Sequence, residues 1–202
     1  MSSNYSHCWG ANTPWKTEAS WMNWLRGSLR RAWNKHPLKI AALHAYRVKI
    51  KNPNPASAKA FPEIWGGVCD VCKGTFPLSG GKKEGKAKNK IQVDHKNPAG
   101  TFKNISDFQG FFERMFCVGI EDLRLVCSDC NKTLAYADKH KISLEEAQAV
   151  KQAIAIGKSK QDKQWLEERG IKPAGNAAGR RKQIVELLKG EQKWLSDKQN
   201  EL

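Results

Sequence analysis

Four of the six cysteines form two closely spaced pairs, Cys69-x-x-Cys72 and Cys127-x-x-Cys130. A Cys-x-x-Cys turn presents two thiolates to one ion, and two such turns complete the tetrahedral four-sulfur set that zinc prefers. Because this set leaves no coordination position open, the zinc would be structural, and such sites contribute roughly 10 kcal/mol or more to the folding of small modules. A redox dithiol is the alternative, but one redox motif needs only one pair. We therefore predict a structural Zn²⁺ site.

Side chains between and beside these pairs suit hydrolytic chemistry. Asp94 and His95 lie between the pairs, and Asn131 directly follows the last cysteine. Carboxylate and amide oxygens are ligands for a hard ion such as Mg²⁺ or Mn²⁺, and imidazole can take a proton from water near neutral pH. An oxygen-ligated metal and an activated water are the minimal parts for phosphodiester hydrolysis. An isolated Asp-His pair is usually structural, but one zinc shared by both cysteine pairs would bring His95 close to Asn131.

The elements that must position these side chains follow from the spacing of apolar residues. Residues 90–95 alternate apolar and polar and predict a short strand, and residues 123–126 predict a second one. We predict a short aromatic helix over residues 107–116 and a further helix over residues 129–139. The fold class is predicted as α+β, with a small two-strand-and-helix core in residues 61–140 that the four-cysteine zinc site clamps.

Helical extensions are predicted on both sides of this core. Residues 1–60 form a basic arm with helices over 17–34 and 38–51, followed by a linker at 51–56. The first helix carries an apolar stripe that we assign to core packing: Trp21, Trp24, Leu25, Leu29 and Trp33. In residues 141–202, Ser143 opens a capped helix that runs to Ile156, and further helices cover 162–169 and 177–189.

The charge of the chain favours a polyanionic partner. Lys and Arg number 35 against 20 Asp and Glu, a formal net charge of +15. DNA is the expected partner, because each neutralised phosphate releases condensed counterions. Two groups are candidates for phosphate contact: Arg26, Arg30 and Arg31 on the first helix, and Lys82, Lys83, Lys86 and Lys88 in a Gly/Lys-rich segment. This segment, residues 79–90, is predicted to be a mobile loop. For both groups the alternative is a solvated surface without a partner.

The remaining features of the sequence bear on location. No apolar run approaches the roughly 20 residues of a membrane-spanning helix, and residues 1–10 lack the pattern of a signal peptide. We therefore expect a protein of the reducing cytoplasm, in which Cys8 and Cys117 remain free thiols and Cys117 packs in the core. His140 is expected to be a surface residue near a helix end.

The motifs resemble those of zinc-containing HNH endonucleases. Cys69-x-x-Cys72, Val93-Asp94-His95 and Cys127-Ser-Asp-Cys130-Asn131 are similar above all to the endonuclease VII-like branch, over residues 65–140. The resemblance implies a ββα-metal core, with His95 as general base, Asp94 and Asn131 as ligands of a catalytic Mg²⁺ or Mn²⁺ ion, and the cysteines as zinc ligands. It also implies a bacteriophage or mobile-element origin, in a bacterial host, and a homing role.

One position of the HNH pattern leaves alternatives open. The median Asn of the signature falls near Asp122, whose carboxylate would then orient His95 by a hydrogen bond. Asn97 and Asn104 are the other candidates for that role.

Three functional hypotheses follow. The first is a DNA endonuclease that hydrolyses phosphodiester bonds with one divalent ion, and that acts as a monomer or a homodimer. The second is a non-catalytic, zinc-stabilised DNA-binding protein, favoured by the residue types of Asp122 and Asn131. The third is a zinc module that binds other proteins. Residues 165–188 resemble loosely the helix-turn-helix of SAP-type DNA-binding modules, and a packed helical hairpin is the favoured alternative for them.

Overall fold

A computed structural model describes residues 6–78, 82–83, 86–87 and 89–200 of the chain. These residues form an α+β structure, as predicted, and the chain divides into two compact units, residues 1–128 and 129–202. None of the helices among the described residues combines the length and the apolarity that spanning a bilayer requires.

The first unit begins with a short 3-10 helix, Ser6–Cys8, and two α-helices. Helix α1 covers Glu18–Asn34, with Thr17 and Ser20 forming a reciprocal capping box, and this confirms the predicted helix over 17–34. Helix α2 covers Pro37–Tyr46. The prediction that this helix runs to residue 51 is wrong, because β-branched residues after Arg47 alternate with lysines and form a strand instead.

That strand is part of a three-stranded antiparallel sheet with the order β1-β2-β3. Strand β1 covers Val48–Lys51, β2 covers Glu63–Val68 and β3 covers Thr75–Pro77, while the short helix α3, Pro55–Ala58, lies between the first two. Gly66 is required in β2, because a Cβ at this position would collide with the Ile50 side chain and the Phe76 carbonyl oxygen. The predicted linker at 51–56 thus includes the end of β1 and the start of α3.

A second antiparallel pair carries the Asp-His motif. Strand β6, Ile91–His95, pairs with β7, Leu123–Cys127, and both strands are confirmed near their predicted bounds. The connection between them contains α4, Phe108–Phe116, flanked by 3-10 helices at Ile105–Asp107 and Ile120–Asp122. Inside the predicted Gly/Lys-rich loop, two-residue strands β4, Lys82–Lys83, and β5, Lys86–Ala87, pair with each other.

The core of the first unit is apolar and partly aromatic. Phe102 and Phe111 are fully buried with their ring centroids 4.9 Å apart. Two predicted core residues lie elsewhere: Cys117 is exposed just past the end of α4, and Trp24 is 47 % exposed on α1. The apolar stripe of α1 therefore buries Trp33, whereas Trp24 lies at the surface with its ring tilted against that of Trp15.

The second unit is helical, as predicted for the C-terminal part. Its helices are α5 (Ser128–His140), α6 (Leu144–Lys158), α7 (Asp162–Glu167) and α8 (Ala177–Asn200). The first residue of α5, Ser128, is the last residue of the first unit. The Ser143 hydroxyl caps α6 by accepting the Glu146 N–H, as the sequence predicted. Its core is built from small and branched side chains: Ala149, Ala153, Leu166, Ile184, Val185 and Leu188.

Candidate metal centre and the Asp-His strand end

The four cysteines of the two predicted pairs lie together. Their Sγ atoms are all within 4.8 Å of one another and could hold a metal ion: Cys69, Cys72, Cys127 and Cys130. Sulfurs that bind zinc at about 2.3 Å in a tetrahedron lie about 3.8 Å apart, so small side-chain movements would close this cluster around zinc. All but Cys72 are buried. The predicted grouping of these residues into a possible metal site is therefore confirmed.

Backbone hydrogen bonds hold the turns that carry the sulfurs. In the first turn the Cys69 N–H donates to the Gly74 carbonyl at 2.8 Å, and the Lys73 N–H donates to the Cys69 carbonyl at 2.9 Å. The Cys127 N–H donates to Cys69 Sγ at 3.2 Å. Burial raises the pKa of the Cys69 thiol, but N–H donors from its own turn and from Cys127 together lower this pKa to about 7. These donors favour the thiolate, which is the form that binds metal.

The first turn contains a strained residue, Lys73, with a φ of 56°. This left-handed conformation costs an ordinary L-residue roughly 1–2 kcal/mol, whereas glycine adopts it without a steric penalty. We expect Lys73→Gly to raise the free energy of unfolding by about 0.5–1 kcal/mol, because the greater freedom of glycine in the unfolded chain offsets part of the gain. Urea unfolding of the zinc-loaded protein would measure this as a higher midpoint.

The control for this prediction is Lys73→Ala, which removes the same ammonium group but keeps the Cβ atom. The ion pair between Lys73 and Asp70 (3.2 Å) is exposed, so its loss has little effect in either variant. An equal gain in the alanine variant would contradict the role of the backbone conformation.

Asp94 lies on β6 directly opposite Arg124 on β7. Arg124 donates to Asp94 Oδ2 from Nη2 at 3.3 Å and from Nε at 3.4 Å, and the side chains of Arg124 and Asp94 are only 18 % and 24 % exposed. The Asp94 carboxylate also affects the pKa of Lys39 on α2. Burial and the charge of Lys90 lower this pKa, and the negative charge of Asp94 raises it in part. The Asp94 carboxylate is thus paired with Arg124 and lies close enough to Lys39 to affect its pKa.

His95 ends β6 and points to the face opposite Asp94, because side chains alternate along a strand. It is 7 % exposed, its Nε2 lies 3.1 Å from the Met115 carbonyl oxygen, and its ring centroid lies 4.4 Å from that of Trp33. A carbonyl oxygen only accepts, so Nε2 carries the proton in this contact. In the neutral ring Nδ1 is then an acceptor, which is the state required to receive a proton from water.

Asn131 and Asp122 are placed differently from each other. Asn131 is partly exposed and follows Cys130 near the start of α5. Asp122 precedes the strand partner of His95, but its carboxylate accepts the Gly119 N–H at 2.8 Å and thereby closes a 3-10 turn. The imidazole of His95 meets the Met115 carbonyl rather than the Asp122 carboxylate. Asn104, one of the alternatives, caps the 3-10 helix before α4 by accepting the Asp107 N–H.

Two arginines of α1 donate hydrogen bonds to the loop that follows His95. Arg26 donates to the Phe102 carbonyl at 2.6 Å and Arg30 donates to the Gly100 carbonyl at 3.2 Å. Arg114 of α4 donates to the neighbouring Ala99 carbonyl at 3.2 Å. Their contact with DNA stays a prediction, but Arg26 and Arg30 have this structural role as well. Arg31 donates to the Ser28 hydroxyl at 2.8 Å within α1.

The lysine-rich candidates are only partly described. The backbones of Lys82, Lys83 and Lys86 belong to the β4–β5 pairing, and Lys88 lies outside the described residues. His140 is exposed at the end of α5, as predicted, with its ring 4.2 Å from that of Tyr136.

Comparison with known proteins yields no relative. No protein-family model, no curated protein and no solved structure matches the chain. The function must therefore be argued from the residues and their geometry.

Three neighbours of the Asp-His pair were absent from the sequence-based prediction of the site: Arg124, Met115 and Trp33. The signal for Arg124 was present, because it occupies a polar position in the alternating segment 123–126. Its pairing with Asp94 requires the strand register, which the two short segments do not specify alone. Met115 acts through its backbone carbonyl, which carries no sequence signal.

Proposed function

We propose that this protein is a metal-dependent DNA endonuclease of the HNH type. The observation that carries the proposal is the succession of three elements. Strand β6 ends in Asp94 and His95, its antiparallel partner β7 leads directly into α5, and α5 carries Cys130 and Asn131 near its start. This is the order of elements in the proposed ββα-metal core, and the four-cysteine cluster joins the turn after β2 to the β7–α5 junction.

The side chains that the HNH resemblance assigns as ligands carry donor atoms that suit a hard divalent ion. Asp94 and Asn131 offer carboxylate and amide oxygens, and Arg124 engages only one carboxylate oxygen of Asp94. When bound, Mg²⁺ or Mn²⁺ would stabilise the charge that develops on the phosphoryl and leaving oxygens. Arg124 orients the carboxylate, and a Zn²⁺ ion in the cysteine cluster would hold β7 and the start of α5 in place.

His95 would act as the general base. The Met115 carbonyl holds the proton on Nε2, so that Nδ1 receives the proton of the attacking water. Because His95 is 7 % exposed and its ring lies against Trp33, entry of the phosphodiester requires movement of neighbouring side chains. The net charge of +15 would supply the attraction for the phosphate backbone.

A second candidate function is a non-catalytic DNA-binding protein stabilised by zinc. The same geometry favours it in two respects: His95 is buried, and the Asp94 carboxylate is already paired with Arg124. Both residues would then be structural parts of the β6–β7 pair. This candidate predicts DNA binding with a steep salt dependence and no strand cleavage.

Cleavage of supercoiled plasmid distinguishes the two functions. Zinc-loaded protein is incubated with plasmid and added Mg²⁺ or Mn²⁺, and the control omits both ions, since a strong chelator would also remove zinc. The endonuclease predicts nicked or linear DNA only with the added ion. If neither plasmid nor branched DNA is cut with either ion while DNA binding persists, the proposal is wrong and the binding protein is favoured.

A further inference from the structure

The first sheet carries an exposed tryptophan whose ring lies close to two cationic side chains. Trp65 on β2 is 42 % exposed. The Arg47 guanidinium carbon lies 4.2 Å from the centroid of its ring, and Lys49 Nζ lies 4.5 Å from the centroid. All these residues belong to the first unit, and none is part of the cysteine cluster or the Asp-His pair.

The strand register explains this arrangement. Lys49 is the direct cross-strand partner of Trp65, and Arg47 precedes it by one strand period, so the same face presents both cations to the ring. Lys51 is two residues further along and lies opposite Glu63, the only acidic residue of this three-stranded pairing among the described residues. The surface around Trp65 is therefore aromatic and positively charged.

A second exposed aromatic side chain lies beside this surface in the sequence. Phe61 is 64 % exposed, two residues before β2 begins. The Asn52 N–H donates to the Pro62 carbonyl at 2.8 Å, and Asn52 Nδ2 donates to the Phe61 carbonyl at 2.8 Å. The pairing of β1 with β2 therefore continues into the segment after β1 and the segment before β2. Asn52 is buried, which anchors the backbone at Phe61 while the ring stays exposed.

We propose that Trp65 is a stacking platform for an unpaired base of single-stranded nucleic acid, with the phosphates on either side of that base meeting Arg47 and Lys49. Every base has a π-face, so stacking on an aromatic ring is tolerant of sequence, while lysine and arginine follow the backbone. Both requirements are met within one face of β1 and β2.

Single strands fit this surface better than a duplex. In a duplex each base is already stacked on its neighbours, and exposing its face costs the unstacking free energy. Phosphate contact alone would need only the cations and would not use the exposed part of the Trp65 side chain. The site is independent of the proposed cleavage, because binding is measured without the divalent ion that cleavage requires.

Fluorescence anisotropy tests the site with labelled single strands of about 12 nucleotides, a length within the usual footprint of such surfaces. The probes are oligo-dT, oligo-U and a duplex of equal length, measured with zinc-loaded protein without added Mg²⁺ or Mn²⁺. Trp65→Leu removes the aromatic face but keeps apolar bulk for folding, and Trp65→Phe restores an aromatic face. Trp24→Leu, at another exposed tryptophan, is the matched control.

We expect Trp65→Leu to weaken single-strand binding by roughly 5- to 100-fold, because one stacked base contributes about that much. Trp65→Phe should recover most of this loss, and duplex binding and the Trp24→Leu variant should change little. Lys49→Gln should reduce the slope of log K against log salt by about 0.7, the value of one phosphate contact on a single strand. The affinity for oligo-dT and for oligo-U is compared between wild type and Trp65→Leu. A larger loss for oligo-dT identifies DNA as the source of the base, and a larger loss for oligo-U identifies RNA.

The proposal is overturned if Trp65→Leu, shown folded by circular dichroism, binds both single strands as the wild type does. It is equally overturned if single-strand and duplex binding fall together, since the loss would then not depend on an unpaired base. Plasmid cleavage does not enter either outcome, so failure of this site and failure of the endonuclease proposal are separate results.

Discussion

Replacing His95 by glutamine is expected to lower the rate of DNA cleavage by about 10²- to 10⁴-fold, the usual contribution of a general base. The Nε2 amide of glutamine can still donate to the Met115 carbonyl, which His95 Nε2 meets at 3.1 Å. The variant therefore keeps the hydrogen bond and most of the volume beside Trp33, but it has no group that takes a proton from water. Initial rates of plasmid nicking with added Mg²⁺ or Mn²⁺ would measure the loss.

His95→Ala is a poorer test of the general base than His95→Gln. The side chain is 7 % exposed, so alanine would leave a cavity beside Trp33 and would also leave the Met115 carbonyl without its donor. A loss of activity could then reflect a loss of stability.

The matched control for this prediction is His140→Gln. His140 is exposed at the end of α5, and this change should leave cleavage unaffected. Wild-type nicking by a folded His95→Gln variant would remove His95 from the mechanism. If the His140→Gln variant were instead the inactive one, the assignment of the general base would be wrong.

Replacing Cys127 by serine is expected to prevent stable folding of the zinc-loaded protein. Cys127 is 2 % exposed at the end of β7, its Sγ belongs to the four-sulfur cluster, and its N–H donates to Cys69 Sγ. Structural zinc contributes roughly 10 kcal/mol or more in small modules, which is comparable to the 5–15 kcal/mol of total stability of a typical domain. Loss of one thiolate ligand should therefore remove most of the folding free energy.

Zinc content and thermal unfolding measure this result together. We expect about one zinc per chain and a cooperative transition for the wild type, and neither for Cys127→Ser. Cys117→Ser is the matched control, because Cys117 is an exposed free thiol outside the cluster. A Cys127→Ser variant with full zinc content and an unchanged melting temperature would show that the cluster does not hold the fold together. Titration with a chelator should reproduce the unfolding in the wild-type protein.

Several elements of the fold are determined by short stretches of sequence. Thr17 and Ser143 cap α1 and α6 through contacts within a few residues, so their helix starts are local properties. Strand β6 alternates apolar and polar residues with the period of a strand, and its buried positions follow that period. Helix α2 was predicted too long, because the segment after Tyr46 suits either state, and pairing with β2 decides for the strand.

The candidate site likewise has features that the local sequence determines and features that depend on the whole fold. Residue type and spacing alone identified the four cysteines, because a Cys-x-x-Cys turn presents two sulfurs to one ion through local geometry. Residue type likewise singled out Asp94 and His95 as groups capable of metal binding and proton transfer. Whether those groups perform that chemistry depends on surroundings that local spacing does not encode.

Only the tertiary structure decided what surrounds the Asp-His pair. Arg124 lies opposite Asp94 because the register of β6 and β7 places it there, across a connection that contains α4. Trp33 lies against His95 because α1 packs in the same unit, and Met115 offers its carbonyl because α4 ends nearby. Such contacts join residues far apart in the chain through backbone groups and packing, which depend on the whole fold rather than on the residue types of one segment.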